Sequence, residues 1–252
     1  MSMPAKSKPK KKIANNSSDL LELLTTGSMN VLGFVPWSSN RALLVEMQDG
    51  KRECVAIYKP NRLERPLWDF PFGSLSKREC ASYLASTILG WPNIPPTVLR
   101  DGPQGEGAVQ IYVDVIEDEN FFTLRDRFGD EMKRMCVFDA IANNTDRKGG
   151  HVLLGKDNQI WSIDHGVTFH EYYKLRTVIW DYVGEEIPPE ILSDVRRLRN
   201  CFEHDGDFGS NIENLLSRRE MNAFSARIDK LLEERVFPEP PEDWPHVPWP
   251  PI

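Results

Sequence analysis

Cysteine is scarce in this chain. The four present among 252 residues (Cys54, Cys80, Cys136 and Cys201) lie far apart, with no CxxC or other metal-ligand spacing. That excludes a disulfide-stapled scaffold and a cysteine zinc site, and it fits a reducing compartment. No apolar run approaches the ~20 residues needed to cross a bilayer, and the first residues carry no apolar signal core. A soluble, cytoplasmic, monomeric protein with no transmembrane segment is expected. Positive charge is not in excess either: the net charge is −7, which argues against stable nucleic-acid binding. Apolar residues, at 40%, suffice for a core of one large domain or of two small lobes sharing a cleft.

Composition divides the chain into four stretches. Residues 1–18 form a lysine-rich, Ser/Asn-rich arm (Lys6, Lys8, Lys10, Lys11, Lys12), too polar to offset its own ordering entropy. Residues 19–115 read as a β-rich lobe and 116–236 as a helical lobe. Residues 237–252 are a proline-rich tail of extended character, whose Trp244 and Trp249 are expected to pack back on the domain.

Within the first lobe, apolar runs at 30–36, 42–48 and 54–59 read as strands. The last two are joined across Asp49-Gly50, a hairpin signal because both residues tolerate positive φ. A helix is expected at 77–89, with Ser76 and Glu79 as a capping box and Gly90 as its stop. Strands near 96–100 and 108–115 flank the Gly-rich turn 101–107. In the second lobe, Asp130 is expected to cap a helix over 131–142. A short hairpin at 152–154 and 160–163 and helices near 188–199 and 219–235 complete it. The fold class is α+β, a small sheet followed by helices.

Three features carry chemistry. Lys59 ends an otherwise apolar strand, Cys54-Val-Ala-Ile-Tyr58. Such a lysine either snorkels to solvent or reaches into a cleft to hold nucleotide phosphates. Next, Asn143-Asn-Thr-Asp-Arg-Lys-Gly-Gly-His151 follows a helix and precedes a strand. Asp146 and His151 can supply a hydroxyl-orienting carboxylate and a metal ligand from one loop. The plainer alternative is an Asx-rich turn. Third, Asp164-His165-Gly166 ends the hairpin, where a carboxylate can bind a cation bridging phosphates.

Together with Tyr58-Lys-Pro60 and Arg65-Pro-Leu-Trp-Asp-Phe-Pro71, the runs Asn144–His151 and Asp164–His170 resemble a bacterial family related to phosphatidylinositol 3- and 4-kinases, common in actinobacteria. The resemblance spans roughly residues 27–235. It implies a two-lobed atypical kinase fold and ATP as the bound nucleotide. It also implies Lys59 as the phosphate-binding lysine, Asp146 as the catalytic aspartate and Asp164 as the metal-binding one. Ser38, Ser39 and Asn40 take the slot of the phosphate loop. Glu79 either pairs with Lys59, as in kinases, or serves only the capping box. Backbone groups of Tyr112 and Val113 would meet adenine at a hinge. The Arg65–Pro71 segment either covers the cleft or packs Trp68 and Phe70 into the core. Lys174 and Arg176 either meet an anionic substrate or are solvated.

The sequence departs from that family's pattern twice. The phosphate loop has no glycine, and His151 stands where relatives carry a metal-ligating asparagine. Imidazole favours Mn²⁺ or Zn²⁺ over Mg²⁺, so His151 either shifts the metal preference or stands behind a ligand without binding, and Mg²⁺ or Mn²⁺ is expected. The function implied is transfer of the ATP γ-phosphate to a hydroxyl of a small molecule, a lipid or a protein. The alternatives are a nucleotide-binding pseudokinase or interaction module, and AMP transfer on the same fold.

Overall fold

The computed structural model describes residues 12–13, 17–35, 41–204 and 211–252. Ser38, Ser39, Asn40 and most of the basic arm lie outside the described residues.

The first lobe is an antiparallel sheet. Its strands are β2 (Ser28–Phe34), β3 (Leu43–Gln48), β4 (Arg52–Pro60), β5 (Thr97–Gly102) and β6 (Gly105–Ile111), in the order β2-β3-β4-β6-β5. The short β1 (Lys12–Ile13) pairs in parallel with the start of β4. At the β3–β4 turn Gly50 takes φ 87°, and Asp49 Oδ1 accepts from the Lys51 and Arg52 amides at 2.9 and 2.7 Å. The pleat sends alternate residues to opposite faces. Leu43, Val45 and Met47 of β3, Ala56 and Tyr58 of β4 and Val109 of β6 are buried beneath Leu23 and Leu24 of helix α1 (Ser17–Thr26). Val55, Ile57 and Lys59 therefore face the other way.

Two local expectations need correcting here. The 101–107 stretch is mostly strand: Asp101 pairs with Glu106, and the turn closes between Gly102 and Gly105. Gly102 and Gly107 serve close approach instead. A Cβ at Gly102 would lie 2.8 Å from the Tyr58 ring, and one at Gly107 would collide with the Lys59 carbonyl. Helix α1 is not among the expected elements: residues 19–29 fall in the stretch read as β-rich, ahead of its first expected strand.

Helix α2 (Leu75–Leu89) ends at Gly90 in the left-handed conformation, φ 80°. Its N-cap is Ser74, so the expected Ser76–Glu79 capping box is absent. Instead the Glu64 carboxylate accepts from the Gly73 and Leu75 amides at 3.0 and 3.3 Å. Ser76 donates to Asn61 at 2.6 Å. Glu79 is thereby released for another role. Ala81, Ala85 and Leu89 of α2 share the core of the second lobe with Phe138, Ile141, Phe169, Val195, Phe224 and Ile228. One helix thus joins the two bodies.

The second lobe comprises α3 (Phe121–Leu124), α4 (Gly129–Ala142), the hairpin β7 (Val152–Leu154) and β8 (Ile160–Ser162), α5 (Pro189–His204) and α6 (Arg218–Glu234). Phe128, rather than Asp130, is the N-cap of α4; Asp130 sits in the first turn, where its charge complements the helix dipole. Trp244 packs against the domain, with the Lys174 ammonium 5.1 Å from its ring. Trp249 does not, at 87% exposure. Among the described residues no helix is long and apolar enough to cross a membrane.

Candidate active site

Lys59 reaches across the cleft to two carboxylates on different elements. Its Nζ is paired with Glu79 of α2 and lies 3.1 Å from Asp164 Oδ1. The other Glu79 oxygen accepts from the His165 amide at 3.1 Å. One charge network therefore ties β4, α2 and the 164–166 turn together. Burial works against the Lys59 charge, but Glu79 and Asp164 outweigh it and raise the ammonium above its ordinary range. Burial pushes the Glu79 carboxyl up, against the pull of Lys59. Lys59 beside it holds Asp164 well below the carboxylate range. Asp164 adopts φ 61°, an uncommon conformation for a non-glycine residue, so its orientation is imposed by its surroundings.

The 143–151 loop is built on buried polar contacts. Arg147 and Asp139 are both fully buried and joined by hydrogen bonds near 3.0 Å. The same guanidinium donates to the Ile163 carbonyl at 2.9 Å and to His165 Nε2 at 2.8 Å. Since arginine can only donate, His165 Nε2 is an acceptor and its proton sits on Nδ1. Asn144 bonds Asp139 at 2.9 Å and accepts from the Asp146 amide at 3.0 Å. Asn143, at φ 53°, donates to the His170 and Tyr172 carbonyls at 3.0 and 2.7 Å. The two asparagines are scaffold, and they aim Asp146.

Asp146 lies 3.2 Å from Arg176 and 3.6 Å from Lys148. Burial pushes its carboxyl up, while Lys148 and Arg176 oppose the shift. His151 accepts from the Lys148 amide at 3.3 Å through Nδ1, and its Nε2 lies 3.3 Å from Asp164 Oδ2. Burial lowers the imidazole to about 4, so it is neutral at pH 7. Lys59, Glu79, Asp146, Lys148 and Asp164 line one cavity of about 250 Å³, together with Glu64, Arg65 and Leu67. A larger groove of about 640 Å³ between α4, α6 and Phe237 carries none of the candidate residues.

Five expected residues from distant parts of the chain thus converge: Lys59, Glu79, Asp146, His151 and Asp164. The chain matches the description "phosphatidylinositol 3- and 4-kinase" over residues 103–237, more than half its length. It is also 37% identical to protein Rv2133c of Mycobacterium tuberculosis, over 90% of this chain and 94% of that one. The chain belongs to the phosphatidylinositol 3- and 4-kinase-like family. Its fold is the two-lobed α+β kinase-like one. The Golgi casein kinase with Mn/ADP bound superposes with TM-score 0.55 at 12% identity, covering 86% of this chain and 75% of that one. The Helicobacter pylori proinflammatory kinase CtkA superposes with TM-score 0.53 at 11% identity, covering 85% and 94%.

Other expectations fare differently in this family member. The Tyr112 amide is committed to the Val55 carbonyl at 3.0 Å and cannot also serve adenine; Val113 is the next residue along. Lys174 is buried and paired rather than solvated, while the Arg176 side chain is paired but stays 32% exposed. The Lys174 ammonium pairs with Asp69 at 2.9 Å and lies 4.7 Å from the Trp68 ring, while Arg176 holds the Thr145 carbonyl at 2.7 Å and Asp146. The 65–71 segment does two things at once: Phe70 is buried, while Trp68 stays 84% exposed and Arg65 and Leu67 line the cavity.

Sequence reasoning passed over Lys148 and the Asp139–Arg147 pair. Lys148 lies inside the quoted Asn144–His151 run, two residues after Asp146, and could have been read. Asp139 had no signal, because a lone acid on the apolar face of a helix reads as surface charge. Among the described residues no three His, Cys, Asp or Glu side chains converge as a metal cage. Asp164 can offer a carboxylate to a cation whose other ligands are phosphate oxygens and water, whereas His151, with Nδ1 accepting from the Lys148 amide, turns Nε2–H toward Asp164 and orients that carboxylate.

Proposed function

We propose that the chain is an ATP-dependent phosphotransferase that moves the γ-phosphate to a hydroxyl acceptor. The observation that carries this reading is the Lys59 ammonium held between Glu79 and Asp164, in the cavity that also contains Asp146. An ammonium fixed at the end of a strand by two carboxylates is placed for anionic phosphates. Opening its bond to Asp164 frees that carboxylate for Mg²⁺ or Mn²⁺, with His151 beside it. When bound, the cation neutralises charge on the phosphate oxygens.

Asp146 accepts the proton of the acceptor hydroxyl as its oxygen attacks the γ-phosphorus. The bond from phosphorus to the ADP oxygen breaks, and ADP leaves. Lys148 and Arg176 flank the Asp146 carboxylate and favour its anionic form against burial. By the sequence resemblance Ser38, Ser39 and Asn40 cover the phosphates. Val113 and the Tyr112 carbonyl are the hinge groups assigned to adenine.

The test is thermal denaturation with ATP, with and without Mg²⁺ or Mn²⁺, alongside release of labelled γ-phosphate. Nucleotide at a hundredfold above Kd stabilises by ~2.7 kcal/mol. A shift that requires the cation, together with turnover, supports the reading. No shift with either cation removes the ATP site, and a shift without turnover assigns the fold to a pseudokinase.

A further inference from the structure

Seven of residues 237–252 are prolines and bring no amide donor, which leaves carbonyl oxygens as much of what the segment offers its neighbours. Two of those carbonyls are spent beside the catalytic loop. His246 O accepts from the Thr177 amide at 2.9 Å and from Trp180 Nε1 at 3.1 Å. Pro251 O accepts from the Gly149 amide at 2.7 Å. Thr177 in turn bridges Arg147, while Gly149 lies three residues after Asp146 and two before His151. Gly149 is shaped for this approach: a Cβ there would lie 2.8 Å from the Phe122 ring and 3.3 Å from Pro251 O.

The segment is anchored along its length. Phe237 is buried, and it exchanges backbone hydrogen bonds with Gly184 and Glu185 at 3.1 and 2.9 Å. Trp244 lies under the Lys174 ammonium, and Pro248 is buried between the two hydrogen-bonding carbonyls.

We infer that residues 244–251 are a positioning part of the catalytic site, which fixes the backbone between Asp146 and His151 through Gly149 and Thr177. This rests on the phosphotransfer reading for its kinetic consequence, but not for its structural one. Without the two carbonyls, the Gly149 and Thr177 amides turn to water. The loop then samples orientations in which Asp146 misses the hydroxyl, a loss felt in kcat rather than in nucleotide affinity.

The experiment uses the full chain with Trp244→Ala, Pro248→Ala and the two combined. Hydrogen exchange at Gly149 and Thr177 is measured together with kcat and the KM for ATP, with amides of α4 as an internal reference for the fold. The combined variant should exchange at those two amides about tenfold faster, the worth of one backbone hydrogen bond, with α4 unchanged. Its kcat should fall by about the same factor while the ATP KM stays within about twofold, and Trp244→Phe should recover most of both. Unchanged exchange at Gly149 overturns the inference. So does faster exchange with undiminished kcat, and a rise in kcat would make the segment a block on acceptor entry instead. A wild-type protein with no turnover, but with the expected exchange, removes the phosphotransfer reading and leaves the hold on the loop standing.

Discussion

The Lys59 ammonium sits 3.1 Å from Asp164 Oδ1 while Glu79, only 3% exposed, grips the same nitrogen from α2. The lysine is therefore part of the charge balance of the fold as well as of the proposed nucleotide site. Replacing it with methionine leaves a buried carboxylate without its partner, which costs about 3 kcal/mol. In a chain of this size that lowers Tm by roughly 6–12 °C, measurable by calorimetry. Lys59→Met/Glu79→Gln should regain most of that stability without regaining nucleotide affinity. Recovery of ATP binding in the double variant would show that Lys59 serves only to neutralise Glu79.

The Asp139–Arg147 pair makes a sharper stability prediction. Arg147 bonds Asp139, the Ile163 carbonyl and His165 from one planar group, which no lysine can reproduce. Arg147→Lys should lower stability by about 3–5 kcal/mol, read from the urea midpoint at constant slope. A loss under about 1 kcal/mol would mean that the buried network tolerates rearrangement.

Much of this arrangement was legible in the sequence. Strand periods, the Asp49-Gly50 turn and the spacing of Lys59, Asp146 and Asp164 gave the sheet, the hairpin and the candidate pair of carboxylates. What failed was local capping. Ser76-x-x-Glu79 has the form of a capping box, but Glu79 lies 20 residues from a lysine that outcompetes a backbone amide for its charge. The true partner of the α2 N-terminus, Glu64, comes from outside the helix. Such partners cannot be read from a local window. Lys174 failed for the same reason: Asp69, a hundred residues away, claims it.

Acid should weaken the fold through His151. Its ordinary value of 6.5 falls to about 4 in the folded chain, chiefly by burial. Between those values the unfolded chain binds a proton that the native one does not. Stability is then lost as pH falls through the window, by about 3 kcal/mol in all. His165, also driven down by burial, adds the same sign. Glu79 and Asp146, pushed up by burial, act oppositely over an overlapping range. The clean quantity is therefore the difference between wild type and His151→Asn. That difference should shrink from pH 7 to pH 4, and a flat difference would mean that folding leaves the titration of His151 unchanged.

Asp146 and Asp164 share a cavity but have different partners, and substitution should separate them. Asp146 touches Arg176 and Lys148, whereas Asp164 touches Lys59 and His151. Asp146→Asn keeps the shape of the loop, since its amide bond to Asn144 is made by the backbone. It removes the charge of the carboxylate proposed to take the hydroxyl proton, so turnover should fall ~10²–10⁴-fold, the usual worth of a positioned base. ATP affinity should change little, because no phosphate-binding group is lost. Asp164→Asn removes the carboxylate charge that would hold a cation, so it should weaken cation-dependent ATP binding as well as rate. It also unbalances Lys59 and Glu79, and its thermal stability should shift where that of Asp146→Asn does not. Titrating ATP against each variant, with and without cation, measures both effects. Equal damage to ATP binding from the two substitutions would make Asp146 a cation ligand, and undiminished turnover in Asp146→Asn would remove it from the reaction.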